Sequence, residues 1–163
     1  MSNKKLPNLE MENARIIFRN FEGRASQYNA QGDRNFCVVL DESMAKKLKA
    51  DGWNVKPLKK RDEEDEQEYY MQVKVNYNGR PPKVVKIKRG RPIELDEDSV
   101  SNLDDADLES VDLIINPYEW NVNGKSGIKA YLKSGYFTIA DDRFESKYYG
   151  SNDNFEDDEE VVF

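Results

Sequence analysis

The chain has 163 residues, of which 37% are hydrophobic and 35% are charged, with a formal net charge of −7. This length fits one domain plus a tail, because domains most often have about 100 to 150 residues, and globular chains are usually about 45 to 50% apolar, so part of the chain should lie outside the core. A single cysteine excludes an intramolecular disulfide and favours the cytoplasm, and we expect neither a signal peptide nor a membrane anchor.

The first part of the chain predicts two strands and one helix. We expect residues 1–13 to be a flexible N-terminus. Residues 14–19 and 33–40 are compact apolar runs that predict strands, separated by a segment rich in Gly, Ser, Asn and Gln. Residues 41–51 predict a short amphipathic helix, with Asp41 or Ser43 as the N-cap and Gly52 where a C-terminal cap belongs.

The rest of the body predicts strands joined by hairpin turns. Residues 94–110 are acidic and weakly apolar, and they predict a loop with a turn of helix near residues 106–109. Asn123-Gly124 predicts the turn of a long hairpin, with an interruption or edge position at Pro117 and a bend near Ser134-Gly135. The predicted strands are residues 53–55, 69–77, 83–88, 111–122 and 127–140.

Five or more strands with one short helix predict a mostly β domain, either a small barrel or a sandwich. The strand count alone does not choose between them, and an OB-fold-like small barrel over residues 14–149 is the small barrel whose open face binds oligonucleotides. Residues 150–163 have the composition of a disordered acidic tail.

The distribution of charge reverses what its sum suggests. Most acids lie in residues 61–68, 94–112 and 151–163, and the remainder carries 24 basic and 11 acidic residues, a net charge of +13. A basic body masked by acidic loops and a tail favours a nucleic-acid partner.

Enzyme chemistry finds little support in the sequence. The chain has no histidine, the commonest general base and metal ligand. Cys37 lies in an apolar run, where a buried structural thiol is the expected role. Gly124-Lys125-Ser126 resembles the end of a phosphate-binding loop, but Glu119 stands where that motif requires glycine, and no acidic segment has the spacing of a calcium loop. We predict no catalytic residue, no metal and no cofactor.

Strand alternation predicts a surface on which basic and aromatic side chains share a face. Lys129, Tyr131 and Lys133 point away from the apolar residues of their strand, and the neighbouring strands pair Tyr118 with Trp120, Tyr70 with Lys74, and Lys86 with Lys88. Such a face suits single-stranded DNA, because bases stack on aromatic rings and cations neutralise phosphates without reading sequence. The predicted DNA-binding residues are Arg19, Arg24, Tyr70, Lys74, Lys86, Lys88, Tyr118, Trp120, Lys129, Tyr131 and Lys133.

Other aromatic residues are predicted to belong to the core. Phe18, Phe36, Trp53 and Tyr77 lie on apolar faces and are expected to be buried. Tyr118 and Trp120 are evenly balanced between core and surface, because Pro117 can break the alternation of their strand.

The C-terminal end carries a specific pattern, in which a block of acids precedes three apolar residues. The acids can imitate a phosphate backbone and compete for the basic groove, and the terminal aromatic with its carboxylate can enter a small basic, apolar pocket on a partner. The predicted partner-binding tail is Asp157, Asp158, Glu159, Glu160, Val161, Val162 and Phe163.

With this tail, the chain resembles the single-stranded-DNA-binding proteins of tailed bacteriophages, which are OB-fold proteins with an acidic tail ending in phenylalanine. The resemblance implies work in DNA replication, recombination or repair, in the cytoplasm of a bacterial host, with replication or recombination proteins recruited through Phe163. Val161-Val162 replace the isoleucine-proline pair that is usual in the bacterial counterparts.

Three matters stay open at the level of sequence. A protein-interaction or assembly factor with a docking tail is the alternative function, and a binder of single-stranded RNA is another, since stacking surfaces do not by themselves sense the 2′-hydroxyl. The oligomeric state is open between a monomer and a homodimer.

Overall fold

Nine strands and one α-helix form residues 6–141, the part of the chain that this computed structural model describes. Helix α1 spans Glu42–Asp51, and a 3₁₀ helix spans Val100–Asp104. The predicted class, mostly β with one short α-helix, is confirmed. The predicted tail residues 157–163 lie outside the described residues. The strands are β1 (Leu9–Met11), β2 (Ile16–Asn20), β3 (Asn35–Leu40), β4 (Val55–Pro57), β5 (Tyr69–Lys74), β6 (Lys83–Lys88), β7 (Arg91–Leu95), β8 (Leu108–Val122) and β9 (Lys125–Ile139).

The strands form one sheet that curls into an incomplete barrel. Its order is β1-β8-β9-β5-β3-β2, with β4 paired to β5 and β6 lying between β9 and β7. The ladder is open between β1 and β2, but the chain itself joins them. Ala14 donates its backbone N–H to Val111 of β8 at 2.7 Å, while the carbonyl of Arg15 accepts from Val39 of β3 at 2.9 Å. Residues 9–20 therefore run as one bent strand from one end of the sheet to the other.

Strand β1 lies inside the segment predicted to be a flexible N-terminus. Leu9 pairs with Ile115 and Met11 with Leu113. Both apolar side chains are partly buried against the core while Glu10 between them is exposed. Three alternating residues are too few to signal a strand in sequence, and the ladder with β8 is what makes one.

The core and helix α1 follow the predicted patterns closely. Phe36 is fully buried, and its ring stacks on Phe21 at 5.2 Å between centroids. The carboxylate of Asp41 accepts from the backbone N–H of Met44 at 2.8 Å, and Gly52 ends the helix in the left-handed conformation at φ 105°. Within residues 6–141, no helix has the length and apolarity needed to cross a membrane.

The acidic segment 94–110 is ordered rather than a plain loop. It contains the end of β7, the 3₁₀ helix and the start of β8. Val100 and Leu103 of the 3₁₀ helix are fully buried. The predicted helical turn near residues 106–109 is wrong, because β8 already begins at Leu108. Two apolar residues in an acidic stretch are too sparse a pattern to reveal an element that docks on the core.

The long hairpin of β8 and β9 confirms the predicted turn and bend. Asn123 and Gly124 have φ values of 53° and 81°, as a two-residue hairpin turn with two positive φ angles requires. Ile115 pairs with Leu132 and Ile114 with Ser134, so Lys133 occupies a bulge next to the predicted bend. Pro117 lies within β8 in register with Ala130, beyond the stretch that pairs with β1.

Candidate nucleic-acid interface

The register of three neighbouring strands brings most of the predicted binding residues to one face. On β9, Ala130 is buried and Tyr131 points away from the core. Tyr131 is in register with Lys74 of β5, and Lys129 is in register with Tyr118 of β8. Because directly paired residues share a face, these four side chains lie on the same outer surface of the sheet.

Trp120 belongs to the same surface and lies flat on the hairpin. It pairs with Gly127, and a Cβ atom at Gly127 would come within 3.0 Å of three indole atoms. The missing side chain of Gly127 therefore makes room for the indole. Trp120 lines a shallow groove of about 370 Å³ together with Lys74 and Lys129. Tyr118 is 55% exposed and Trp120 is partly exposed. Neither of these two residues, for which core and surface were equally expected, therefore belongs to the core.

Phe18 is an exposed aromatic residue of this surface, and the prediction that it belongs to the core is wrong. Its side chain is 62% exposed, and its ring contacts that of Tyr70 edge-on at 5.8 Å between centroids. Its φ is 52°, in the left-handed region that bulky residues rarely adopt, at an irregularity of the ladder between Ile17 and Asn20. The run Ile16-Ile17-Phe18 indicates a buried strand, and only the bulge turns the ring outward.

A second edge-on pair, Tyr118 and Tyr131, has centroids 5.9 Å apart. Tyr70 precedes Lys74 by four residues on β5, which corresponds to roughly 13 Å between the two ring pairs along the strand. The two pairs thus lie at two levels of the sheet surface, and Lys74 is level with Tyr131. We call the following residues the aromatic face: Phe18, Tyr70, Lys74, Tyr118, Trp120, Lys129 and Tyr131.

Cations border the aromatic face, and they differ in whether they form an ion pair with another described residue. The ammonium of Lys74 lies 3.3 Å from Asp33, whereas no ion pair of Lys129 or Lys133 is present among residues 6–141. Lys56 of β4 is exposed and in register with Tyr70, so it adds a positive charge that sequence reasoning missed. Only the pairing of β4 with β5 reveals this position, because Lys56 stands in a three-residue strand.

Lys86 and Lys88 share a face with each other, as predicted, but this face is not the aromatic one. Lys86 is in register with Phe137 of β9, which is fully buried, and two residues from the fully buried Val84. Both lysines therefore point to the opposite side of the sheet from Tyr131. Alternation showed that they belong together, but the register of β6 on β9 decides the side.

The two arginines predicted to line the groove differ in their surroundings. The guanidinium of Arg19 donates to the carbonyls of Leu103 at 2.8 Å and Ala106 at 2.7 Å, which fastens β2 to the end of the 3₁₀ helix. This is a structural contact, and it separates Arg19 from the aromatic face. Arg24 is exposed in the loop that follows β2.

Acids of the segment 94–112 also hold the fold together. The carboxylate of Asp104 accepts from the backbone N–H groups of Phe21 at 2.6 Å and Glu22 at 3.0 Å. Asp112 accepts from the backbone N–H of Asn13 at 2.8 Å. These acids satisfy backbone donors between β1 and β2 and just after β2, so part of the negative charge has a structural use.

The single thiol has the environment of a structural residue. Cys37 is 5% exposed, and burial raises the pKa of its thiol to about 11. A thiol with this pKa stays protonated at neutral pH and is a poor nucleophile. In the described part of the chain, no group of three or more acidic or cysteine side chains is arranged to hold a metal ion.

The sequence matches one family model over nearly its whole length. The family, described as "Putative phage ssDNA-binding domain", matches residues 1–161. No curated protein matches the sequence.

Solved structures of bacteriophage proteins have a similar fold. The single-stranded DNA-binding protein from bacteriophage Enc34, in complex with ssDNA, superposes with a TM-score of 0.52 at 12% identity, covering 88% of this chain and 99% of that chain. A C-terminal truncation of the same phage protein superposes with a TM-score of 0.51 at 12% identity, covering 83% of this chain and 87% of that chain. At this identity, the likeness shows the fold.

Proposed function

Because the chain belongs to the phage ssDNA-binding domain family, we propose that it holds single-stranded DNA along the aromatic face without sequence specificity. It is a binding protein and not an enzyme, in keeping with its family. Its finer role is to cover exposed strands during phage DNA replication, recombination or repair in the cytoplasm of a bacterial host.

One observation carries the proposal, namely two aromatic pairs on one solvent-facing surface together with Lys74 and with Lys129, which has no ion pair among residues 6–141. Tyr118 and Phe18 are more than half exposed although they could be buried at a gain in hydrophobic free energy. Exposed rings suit stacking because every base has a π-face, and each stack contributes about 1 to 3 kcal/mol. Lysines along the same surface suit the phosphates between the bases.

The face contains little that could read a base sequence. Its two charged side chains, Lys74 and Lys129, end in ammonium groups, which are compact point charges without the fixed fork that pairs with a guanine edge. Helix α1 is only ten residues long, and its Ala45 and Leu48 are buried. Proteins that read a duplex usually place a helix in the major groove. These features support binding of single strands over sequence-specific binding of duplexes.

The acidic tail completes the proposal. Residues Asp157 to Glu160 compete with DNA for the basic surface, and Val161, Val162 and Phe163 recruit a replication or recombination protein. Both roles rest on the sequence pattern, in which like charges precede an apolar, carboxylate-bearing end.

Fluorescence anisotropy of a labelled oligo-dT across a salt series tests the DNA-binding proposal. About four phosphate contacts predict a slope near −3 for the logarithm of the binding constant against the logarithm of the salt concentration, since each contact contributes about −0.7 for single strands. Duplex DNA should fail to displace the oligonucleotide, and an RNA competitor measures the preference for the sugar. A flat salt response or efficient displacement by duplex would contradict the proposal.

Truncation after residue 152 tests the tail separately. Removing the tail should tighten DNA binding at low salt. The affinity of the truncated protein should also fall more steeply with salt than that of the full-length protein. Unchanged or weaker binding by the truncated protein would show that the tail does not compete with DNA.

A further inference from the structure

A groove lies beside the aromatic face, where β9 changes neighbours. Along one edge, β9 pairs with β5 through residues Ala130 and Tyr131 and with β6 from Ser134 onward. Neither strand pairs with Leu132 or Lys133. The chain between β5 and β6 spans this gap, and a groove of about 810 Å³ opens there.

One wall of the groove, residues 76–82, is held in its conformation by local interactions. The backbone N–H of Asn78 bonds the side chain of Asn76 at 2.9 Å, and Gly79 follows at φ 82°, which together form a tight turn. Pro81 and Pro82 then stiffen the approach to β6. A groove with such walls is preformed, so a ligand loses less conformational freedom on entering it.

The described lining of the groove is positively charged. Arg80, Lys83 and Lys133 line it, and no aspartate or glutamate among residues 6–141 does. Lys83 is in register with Ser134, the residue that follows Lys133, so these two ammonium groups arise from adjacent positions of the sheet. No ion pair of the three cations is present among residues 6–141, in contrast to Lys74 of the aromatic face.

The groove is also continuous with the aromatic face. Tyr118 and Tyr131 belong to both, because each ring forms part of the groove wall. The rest of the described lining consists of asparagine amides, proline rings and two leucines, which offer hydrogen bonds and apolar contacts. The volume lies within the range of about 300 to 1,000 Å³ that is typical of ligand pockets.

We propose that this groove is a second segment of the DNA path, which takes nucleotides that continue past Tyr118 and Tyr131 and holds their phosphates with Arg80, Lys83 and Lys133. This inference rests on the proposed function and deepens it, because it assigns the direction in which a longer strand leaves the aromatic face. Single-stranded nucleic acid is favoured over an acidic peptide as the occupant because stacking rings continue from the aromatic face into the groove.

Dependence on oligonucleotide length separates this segment from the aromatic face. The variant Arg80→Gln/Lys83→Gln removes two cations that the aromatic face does not contain, and Lys46→Gln/Lys47→Gln on the exposed side of α1 is a control with the same change in charge. Full-length proteins are titrated with oligo-dT between about 4 and 16 nucleotides, the range of site sizes for this kind of domain.

The groove variant should bind the shortest oligonucleotides as the wild type does and lose affinity progressively for longer ones. Its salt slope on the longest oligonucleotide should be shallower by about 1.4, because two contacts of about 0.7 each are removed. The α1 control should follow the wild type at every length.

Three outcomes would overturn the inference. If the affinity of the wild type did not depend on oligonucleotide length, the groove would not be a continuation of the DNA path. The same would follow if the groove variant lost the same affinity at every length. Wild-type binding at all lengths in the groove variant would show that DNA does not enter the groove. If the wild type bound no oligonucleotide, the proposed function itself would fail, a result distinct from the others.

Discussion

The aromatic face and the acidic segment 94–112 both concentrate charge, but the fold uses their charges in opposite ways. In the acidic segment, Asp104 accepts hydrogen bonds from two backbone N–H groups just after β2, and Asp112 accepts one from the segment between β1 and β2. Asp96 does the same locally, and hydrogen bonds from the Ser99 hydroxyl and backbone hold the pKa of this carboxyl below its ordinary value. On the face, Lys129 is exposed.

The comparison explains why the net charge of −7 misleads about partners. A carboxylate that satisfies backbone donors contributes to folding and has fewer free acceptors to offer a ligand. On the face, Lys74 has one ion pair, with Asp33, and Lys129 has none among residues 6–141. Four variants can break or sharpen this contrast, in order of decreasing expected effect.

The largest effect is expected from removing an aromatic pair. Tyr118→Ala/Tyr131→Ala should weaken oligo-dT binding by about 2 to 6 kcal/mol, at least thirtyfold, because each stack contributes about 1 to 3 kcal/mol. Anisotropy measures the loss, and the thermal midpoint should change little because Tyr118 is mostly exposed. Tyr136→Ala, also on β9 and 36% exposed, is the matched control. A loss below threefold would contradict the role of the pair.

Asp104→Ala tests the opposite behaviour in the acidic segment. The substitution leaves two backbone N–H groups without their acceptor, and we expect the free energy of unfolding to fall by about 2 to 3 kcal/mol. Urea denaturation measures this change, while DNA affinity at a temperature where the variant is folded should stay the same. Asp105→Ala alters the neighbouring exposed acid and should have little effect on stability. Equal effects of the two substitutions would refute the structural role of Asp104.

Phe18→Gly separates binding from stability at a single position. Glycine accepts the φ of 52° without strain, so the variant should be at least as stable as Phe18→Ala. Both variants lose the ring and should bind oligo-dT about fivefold more weakly. This loss corresponds to about 1 kcal/mol, the low end of the range for stacking one base. If neither variant lost affinity, the outward ring would have no part in binding, and its unusual backbone would need another explanation.

Asp33→Asn should have the smallest effect and the opposite sign. It removes the carboxylate 3.3 Å from Lys74 and frees this ammonium for a phosphate. Exposed ion pairs contribute little, so we expect a gain of about 0.5 kcal/mol, roughly twofold in affinity, at low salt. Asp105→Asn removes the same charge away from Lys74 and is the control. A gain of equal size in both variants would mean that only the overall charge matters.

The sequence predicted those parts of the binding surface that depend on alternation within one strand. Tyr131 with Lys129, Tyr118 with Trp120, and Tyr70 with Lys74 each stay together because side chains an even number of residues apart on a strand share a face. Lys86 with Lys88 is also a correct pair, on the other side of the sheet.

The position of Phe18 shows where local pattern fails. Three apolar residues in a row indicate burial, and nothing in them signals the bulge that turns the third one outward. Likewise Arg19 is an ordinary cation in sequence, and it becomes a structural clamp only because the 3₁₀ helix presents two carbonyls to it.

By itself, the sequence determined the class of the fold, helix α1 with its caps, the hairpin turn at Asn123-Gly124 and the pairs of residues that share a face. These follow from interactions between residues close in the chain, such as capping, turn geometry and strand alternation. The tertiary structure decided the side of the sheet on which each pair lies, the ordering of β1 on β8 and the groove between β5 and β6. These depend on register between strands that are distant in sequence, and a shift of one residue would exchange the two faces of a strand.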